Sequence, residues 1–355
     1  MIRDITVQEL RNLAKPVLID VRSESEYREA TIPGAVNLPL LNDGERAEVG
    51  EIYVQVSPAL ARHQGLRLIS PKLPALVEEV EKLSIQGTPV LFCWRGGMRS
   101  KAMATVLDLM GVTVYRLQGG YKAYRREILE YFERTLPFQI VVFRGNTGVG
   151  KTELLLKLRQ LGYPAIDLEG LANNRGSVFG DVGLGPPPSQ KAFEAALYEE
   201  CRRYERYGYV IVECESKRIG RVTLPDKFHR AMQEGIQVLV FDTLANRVRR
   251  LVKEYMAHPD SMAQIENALE RLVKTLGHEK VRELKELLAA RRLEEFTEHL
   301  LLDYYDRLYA YPNEPSPDYA FCLSQAKPEQ AERELARFLD EQVANTNEQS
   351  SLSGV

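Results

Sequence analysis

One stretch constrains this chain more than any other. Gly145-Asn146-Thr147-Gly148-Val149-Gly150-Lys151-Thr152 follows the apolar run Phe138-Gln139-Ile140-Val141-Val142-Phe143 and precedes Glu153-Leu154-Leu155-Leu156-Lys157-Leu158, which has helical character. A strand that turns through glycines into a helix N-terminus aims successive backbone N–H groups at one spot, and that makes an anion site. The spacing G-x-x-x-x-G-K-[ST] adds a lysine for phosphate oxygens and a hydroxyl able to hold Mg²⁺. All eight residues, 145 to 152, are therefore candidate phosphate ligands, with magnesium placed at Thr152 if it binds. The motif calls for a polyphosphate without naming a nucleotide, and no base-recognition signature of a GTPase accompanies it.

A second apolar strand, Tyr209 to Glu213, runs into Glu213-Cys214-Glu215-Ser216. An acid at that place orients a metal-bound water in phosphate-loop enzymes; the alternative for Glu213 and Glu215 is a solvent-facing acid at a strand end. Asp167, Glu169, Arg175 and Ser177 fall in a polar, glycine-rich segment that reads as a metal- or substrate-contacting loop or as a plain surface loop.

The alternation of apolar runs and helical stretches occurs twice. Pro16 to Asp20, Pro89 to Phe92 and Val112 to Tyr115 read as strands before a charged helical stretch, Tyr121 to Arg134; the pattern then restarts at Phe138. Further strands are expected at Ala165 to Leu168 and Val238 to Asp242, with helix dominating from Leu244 to Tyr311. These readings divide the chain into 1–136, 137–344 and a tail, 345–355, rich in Asn, Ser and Gly and expected to be disordered.

In the first part, the strand Val90-Leu91-Phe92 delivers Cys93 into Trp94-Arg95-Gly96-Gly97-Met98-Arg99-Ser100, and a helix follows. Converging amides, a helix N-terminus and the guanidinium groups of Arg95 and Arg99 favour a thiolate over a thiol. Leu18-Ile19-Asp20-Val21-Arg22 with Glu26-Tyr27, then Ile32 to Pro39, the Cys93 loop and Gln118-Gly119-Gly120-Tyr121 resemble, in order, the landmarks of rhodanese domains. Arg99 follows Cys93 by six positions, one more than in common single-domain rhodaneses. That is the C-x5-R spacing of cysteine-dependent phosphatases, but Phe92 stands where such enzymes usually carry histidine and no acid nearby is an obvious proton donor.

The chain of 355 residues carries a formal charge of −3, so an RNA site would have to be a local patch. Candidate clusters are Arg202, Arg203 and Arg206; Lys217, Arg218 and Arg221; and Arg247, Arg249, Arg250 and Lys253. The cysteines Cys93, Cys201, Cys214 and Cys322 are too scattered for a zinc site or disulfide framework, and the last three read as inert core thiols. With no leader-like N-terminus and no run long enough for a membrane span, the expected location is the cytoplasm and no membrane partner is expected.

Taken together, the rhodanese landmarks, the phosphate loop, Asp-Leu-Glu-Gly-Leu-Ala at 167–172, Arg-Gly-Ser at 175–177, Glu213, Glu215-Ser216 and Tyr304-Tyr305-Asp306 resemble the bacterial tRNA 2-selenouridine synthases to about residue 340. Asn174 replaces an expected histidine and Cys214 an expected aspartate. The resemblance implies an α/β chain: an N-terminal rhodanese-like domain plus a C-terminal P-loop NTPase-like domain with a helical extension. It implies a transferase that alkylates the sulfur of wobble 2-thiouridine with geranyl diphosphate and then replaces the S-geranyl group with selenium from selenophosphate. Cys93, Arg95 and Arg99 would act on the selenium donor, and Lys151 and Thr152 would grip the diphosphate. Partners would be tRNA and a selenophosphate-supplying enzyme, with no tightly bound cofactor. The alternatives are an ATP-dependent tRNA sulfurtransferase or kinase fused to a sulfur carrier and, further off, a sensing protein with a degenerate rhodanese.

Overall fold

The structure is a computed structural model that describes residues 2–256 and 261–344. The expected disordered tail lies outside the described residues. Contacts divide the chain into two compact units, Met1–Tyr131 and Phe132–Val355.

In the first unit, strands β1 (Ile2–Ile5), β2 (Pro16–Asp20), β3 (Val36–Asn37), β4 (Thr88–Phe92) and β5 (Val114–Leu117) form a parallel sheet in the order β1-β5-β4-β2-β3. Parallel strands are covered on both faces and so read as unbroken apolar runs, which is why Val-Leu-Phe and Val-Leu-Ile stand out in the sequence. The register pairs Asp20 with Phe92, so β2 and β4 end level. Arg22 and Cys93, just past the ends of these two strands, therefore emerge at one carboxyl edge, the usual ligand-binding side of such sheets. Ile19, Leu91, Met103, Leu107 and Val114 form the core beneath.

In the second unit, β6 (Gln139–Arg144), β7 (Tyr209–Glu213), β10 (Ile236–Phe241) and β11 (Phe321–Ser324) form a parallel sheet in the order β11-β10-β6-β7. A short antiparallel pair, β8 (Arg218–Ile219) and β9 (Val222–Thr223), stands apart. Val141, Phe143, Leu154, Leu158, Ile211 and Leu335 pack one face of the large sheet. A second core, built on Val248, Leu251, Leu284, Phe296 and Tyr305, closes the helical part.

The strand expected at Ala165 to Leu168 shrinks to one bridge, Ala165 to Ile211. Asp167 is the reason: its carboxylate accepts from the Gly170 amide at 2.7 Å and starts a helix, Leu168–Ala172, where a strand would have continued.

Candidate functional site

The Cys93 loop is held from below by a buried ion pair. Arg22 and Asp20 are almost wholly buried and meet at 2.6 Å, while Ala30 O takes a second Arg22 N–H at 2.7 Å and Thr31 donates to Asp20 at 2.8 Å. The same guanidinium sits 4.4 Å from the Tyr121 ring centre, and the Tyr121 amide donates to Cys93 O at 2.9 Å. So the Asp-x-Arg and Gly-Gly-Tyr landmarks are one support for the thiol loop. Gly120 is required there because its φ is +59° and a Cβ would stand 2.2 Å from Cys93 O.

Cys93 is only 3% exposed, and its sulfur lies 3.3 Å from Ser100 Oγ, in the first turn of the helix Met98–Leu109. Gly97 caps that helix, so an anion above the sulfur meets the positive helix end, and the exposed Arg95 lies two residues before that cap in the chain. Arg99 differs from expectation in its present engagement: its fork is taken by Glu26, at 2.5 and 3.2 Å. Burial alone would raise the Glu26 carboxyl, but Arg99, with Arg46 and Arg22, outweighs it and holds the group below the usual glutamate range. A carboxyl depressed on folding adds stability that is present above its unfolded value of about 4.3 and lost as pH falls through the lower folded value. Glu26→Gln is expected to remove that acid limb and to cost on the order of 1–3 kcal/mol near neutral pH. The fluorescence of Trp94, the chain's single tryptophan, reads unfolding of this unit; wild-type and variant curves that stay parallel through the acid range would show the pair contributes nothing.

In the second unit the phosphate loop borders a cavity of about 590 Å³. Lys151 Nζ folds onto the Gly145 and Asn146 carbonyls at 2.8 and 3.2 Å. Thr152 Oγ1 donates to Glu213 at 2.8 Å and approaches Glu169 at 3.3 Å. Glu169, Glu213 and Glu215 offer oxygens all within 4.8 Å of one another. Burial first and mutual repulsion second push Glu169 and Glu213 well above the usual carboxyl value and Glu215 up to about 8. Glu213 and Glu215 are thus buried acids of the site, not solvent-facing strand ends. Gly176 allows the neighbouring loop to close on them, since its φ is +65° and a Cβ there would stand 2.5 Å from the Glu215 carboxylate.

The other expected residues separate. Arg175 and Ser177 border the cavity, Arg175 paired with Glu254 at 2.8 Å and Ser177 Oγ accepting from the Phe179 amide at 3.2 Å. Asp167 is spent on its helix cap, and the Asn146 amide holds Tyr311 O at 2.9 Å and Asn313 at 3.1 Å, pinning the loop rather than facing a ligand. Val149 is buried in the sheet core, leaving only its backbone to the loop. Asn174 accepts from the Gly176 amide at 3.0 Å, a turn-forming role that does not need histidine.

Two further expectations change. Cys214 is not an inert core thiol: it borders the cavity, 2.7 Å from Arg144 Nη1 and 3.3 Å from Tyr311 OH. Arg247, read as part of a basic face, is 1% exposed; it donates to Thr147 O at 2.8 Å and to Asp306 at 2.9 Å. Arg250 likewise pairs with Asp242 at 2.6 Å and reaches Gly148 O at 3.2 Å. Both stand on the loop-facing side of the helix Leu244–Tyr255: Arg247 braces the phosphate loop from behind, and Arg250 also borders the cavity. Arg247→Ala is therefore expected to cost about 3–5 kcal/mol by stranding Asp306. Denaturant unfolding checks it, and a cost near zero would return Arg247 to the surface class.

Sequence reasoning missed Arg144, Tyr309 and Tyr311, which border the cavity. A lone arginine ending the apolar run Ile140 to Phe143 was the available signal.

A thiol cradle on a five-stranded parallel sheet and a phosphate loop with acidic partners on a second sheet define a two-domain enzyme class, a rhodanese-like module joined to a P-loop module. A rhodanese-like domain model matches residues 6–127, and the model described as the tRNA 2-selenouridine synthase AAA domain matches residues 138–342. The tRNA 2-selenouridine synthase of Hydrogenovibrio crunogenus is 36% identical over 83% of this chain and 88% of its own length. That of Pseudomonas syringae pv. syringae is 33% identical over 84% and 88%, and that of Chromohalobacter salexigens 33% over 90% and 96%. The chain belongs to the tRNA 2-selenouridine synthase family.

Proposed function

We propose that the protein converts wobble 2-thiouridine of tRNA to 2-selenouridine in two steps, with geranyl diphosphate and selenophosphate as co-substrates. The observation that carries this reading is the composition of one cavity. Lys151, Thr152 and the loop amides border it beside Phe179, Leu251 and Tyr309, so a diphosphate and an apolar chain fit the same walls.

In the first step a sulfur lone pair forms a bond to geranyl C1, the carbon–oxygen bond breaks, and diphosphate leaves with that electron pair. The uracil N3 proton is released, which leaves a neutral S-geranyl base. Lys151 and the loop amides stabilise charge building on the departing oxygens. The site chemistry also suits a magnesium ion: the donors Thr152, Glu169, Glu213 and Glu215 are all oxygen, and Glu213 Oε1 is buried without a partner. Bound there, the ion would neutralise diphosphate charge. In the second step selenophosphate and water yield phosphate, and selenium replaces the geranyl sulfur at C2, which leaves as geranylthiol with a proton. Alkylation matters because a thiocarbonyl is a poor leaving group and a thiol a good one. Arg95, Arg99 and the helix end at Gly97 bind the anionic donor, and Cys93 handles the selenium. A selenophosphate-supplying enzyme is the expected upstream partner.

Mass spectrometry of wobble nucleosides from cells with and without the protein tests the proposal. Loss of 2-selenouridine together with persistence of 2-thiouridine is expected; unchanged 2-selenouridine would refute it.

A further inference from the structure

The cavity contains a cation that its own carboxylates do not neutralise. Arg144, the last residue of β6, is half-buried, and its N–H groups go to Gln237 Oε1 at 2.6 Å, Cys214 Sγ at 2.7 Å, Gln233 Oε1 at 3.1 Å and Tyr311 OH at 3.4 Å. No ion pair to a carboxylate joins it among the described residues, whereas Arg175 and Arg250 in the same walls each have one. A half-buried guanidinium without a carboxylate partner is costly to hold, and an anionic or strongly polar ligand relieves that cost.

Its surroundings fit a nucleotide better than a second phosphate of the prenyl donor. Arg144 and Cys214 fall on the sheet face opposite Phe143, because side chains alternate along β6 and the register pairs Phe143 with Glu213. The helix Asp226–Glu234 covers that face: Phe228 and Met232 are buried, and the adjacent stripe, His229 and Gln233, borders the cavity with their side chains 3.4 Å apart. Tyr309 and Tyr311, near parallel at 16° with centres 6.4 Å apart, add aromatic faces to the same walls. Amide, imidazole and guanidinium groups beside stacked rings are what proteins use to hold an unstacked RNA base.

We infer that Arg144, with Gln233, His229 and the Tyr309–Tyr311 pair, forms the subsite that takes the wobble nucleotide of the RNA beside the diphosphate site. This rests on the function proposed above and adds where the RNA enters.

The test compares wild type, Arg144→Gln and Gln233→Ala for binding of an anticodon stem-loop carrying 2-thiouridine, the same stem-loop without the wobble base, and geranyl diphosphate alone. Arg144→Gln is expected to weaken the intact stem-loop about tenfold or more, as for a lost charge-assisted hydrogen bond, and to leave geranyl diphosphate binding unchanged. Gln233→Ala, an exposed helix position, should weaken it less and guards against misfolding of the first variant. A loss that persists without the base means the guanidinium reads the nucleotide's phosphate; a loss that vanishes means it reads the base. Unchanged stem-loop binding in both variants, or a loss that falls on geranyl diphosphate, would overturn the subsite. If wild type geranylates the stem-loop in that case, only the subsite is lost; if wild type does not, the proposed function fails with it.

Discussion

The Cys93→Ser protein is expected to lose selenium incorporation by several orders of magnitude while still alkylating 2-thiouridine, so that S-geranyl-2-thiouridine accumulates in tRNA. The substitution leaves the cradle nearly unchanged. Ser100 Oγ, at 3.3 Å, can bond a hydroxyl as well as a thiol, and the Arg22–Asp20–Tyr121 support does not touch the sulfur. What is lost is a soft, polarisable sulfur nucleophile, which a serine hydroxyl does not replace. Nucleoside mass spectrometry reads both products at once. A Ser variant that makes 2-selenouridine at the normal rate would remove Cys93 from the chemistry.

Lys151→Ala should produce the complementary defect, a fall in geranylation of at least about a thousandfold, as when a principal transition-state charge contact is removed. Lys151 now rests on two loop carbonyls, Gly145 O and Asn146 O, both neutral acceptors, and a diphosphate would be a stronger partner. With alkylation blocked, selenation of 2-thiouridine tRNA should stop as well. Supplying tRNA that already carries S-geranyl-2-thiouridine should restore it if, as proposed, the second step uses the cradle around Cys93. No rescue in a folded variant would mean that the phosphate loop serves both steps.

The parts of the molecule that sequence reveals are those whose physics is local. Two strands, Pro16–Asp20 and Tyr209–Glu213, fall where their apolar runs place them, and the glycine loops lie where strands meet helices. At Ala165 to Leu168 the apolar run misleads because one carboxylate, Asp167, offers the backbone a helix cap that competes with the ladder. Burial of charge is tertiary and left no mark on the sequence. Arg247 and Arg249 are neighbours in one basic run, yet one is sealed against Asp306 and the other is exposed. The acids of the phosphate site were each legible as candidates; that Glu169 would join Glu213 and Glu215 in one cluster was not, because the chain brings it from a separate helix, Leu168–Ala172. Arg144 went unread for the same reason, since its partners Cys214, Gln233 and Tyr311 come from three separate elements.

The central claim is that the phosphate loop serves a prenyl diphosphate and that the two steps need no nucleotide. It is tested most directly by turnover of purified protein with geranyl diphosphate, selenophosphate and 2-thiouridine tRNA, with no ATP or GTP present. The account predicts S-geranyl-2-thiouridine first, then 2-selenouridine with release of geranylthiol. Strict dependence of either product on added ATP would contradict it and favour an ATP-dependent sulfurtransferase.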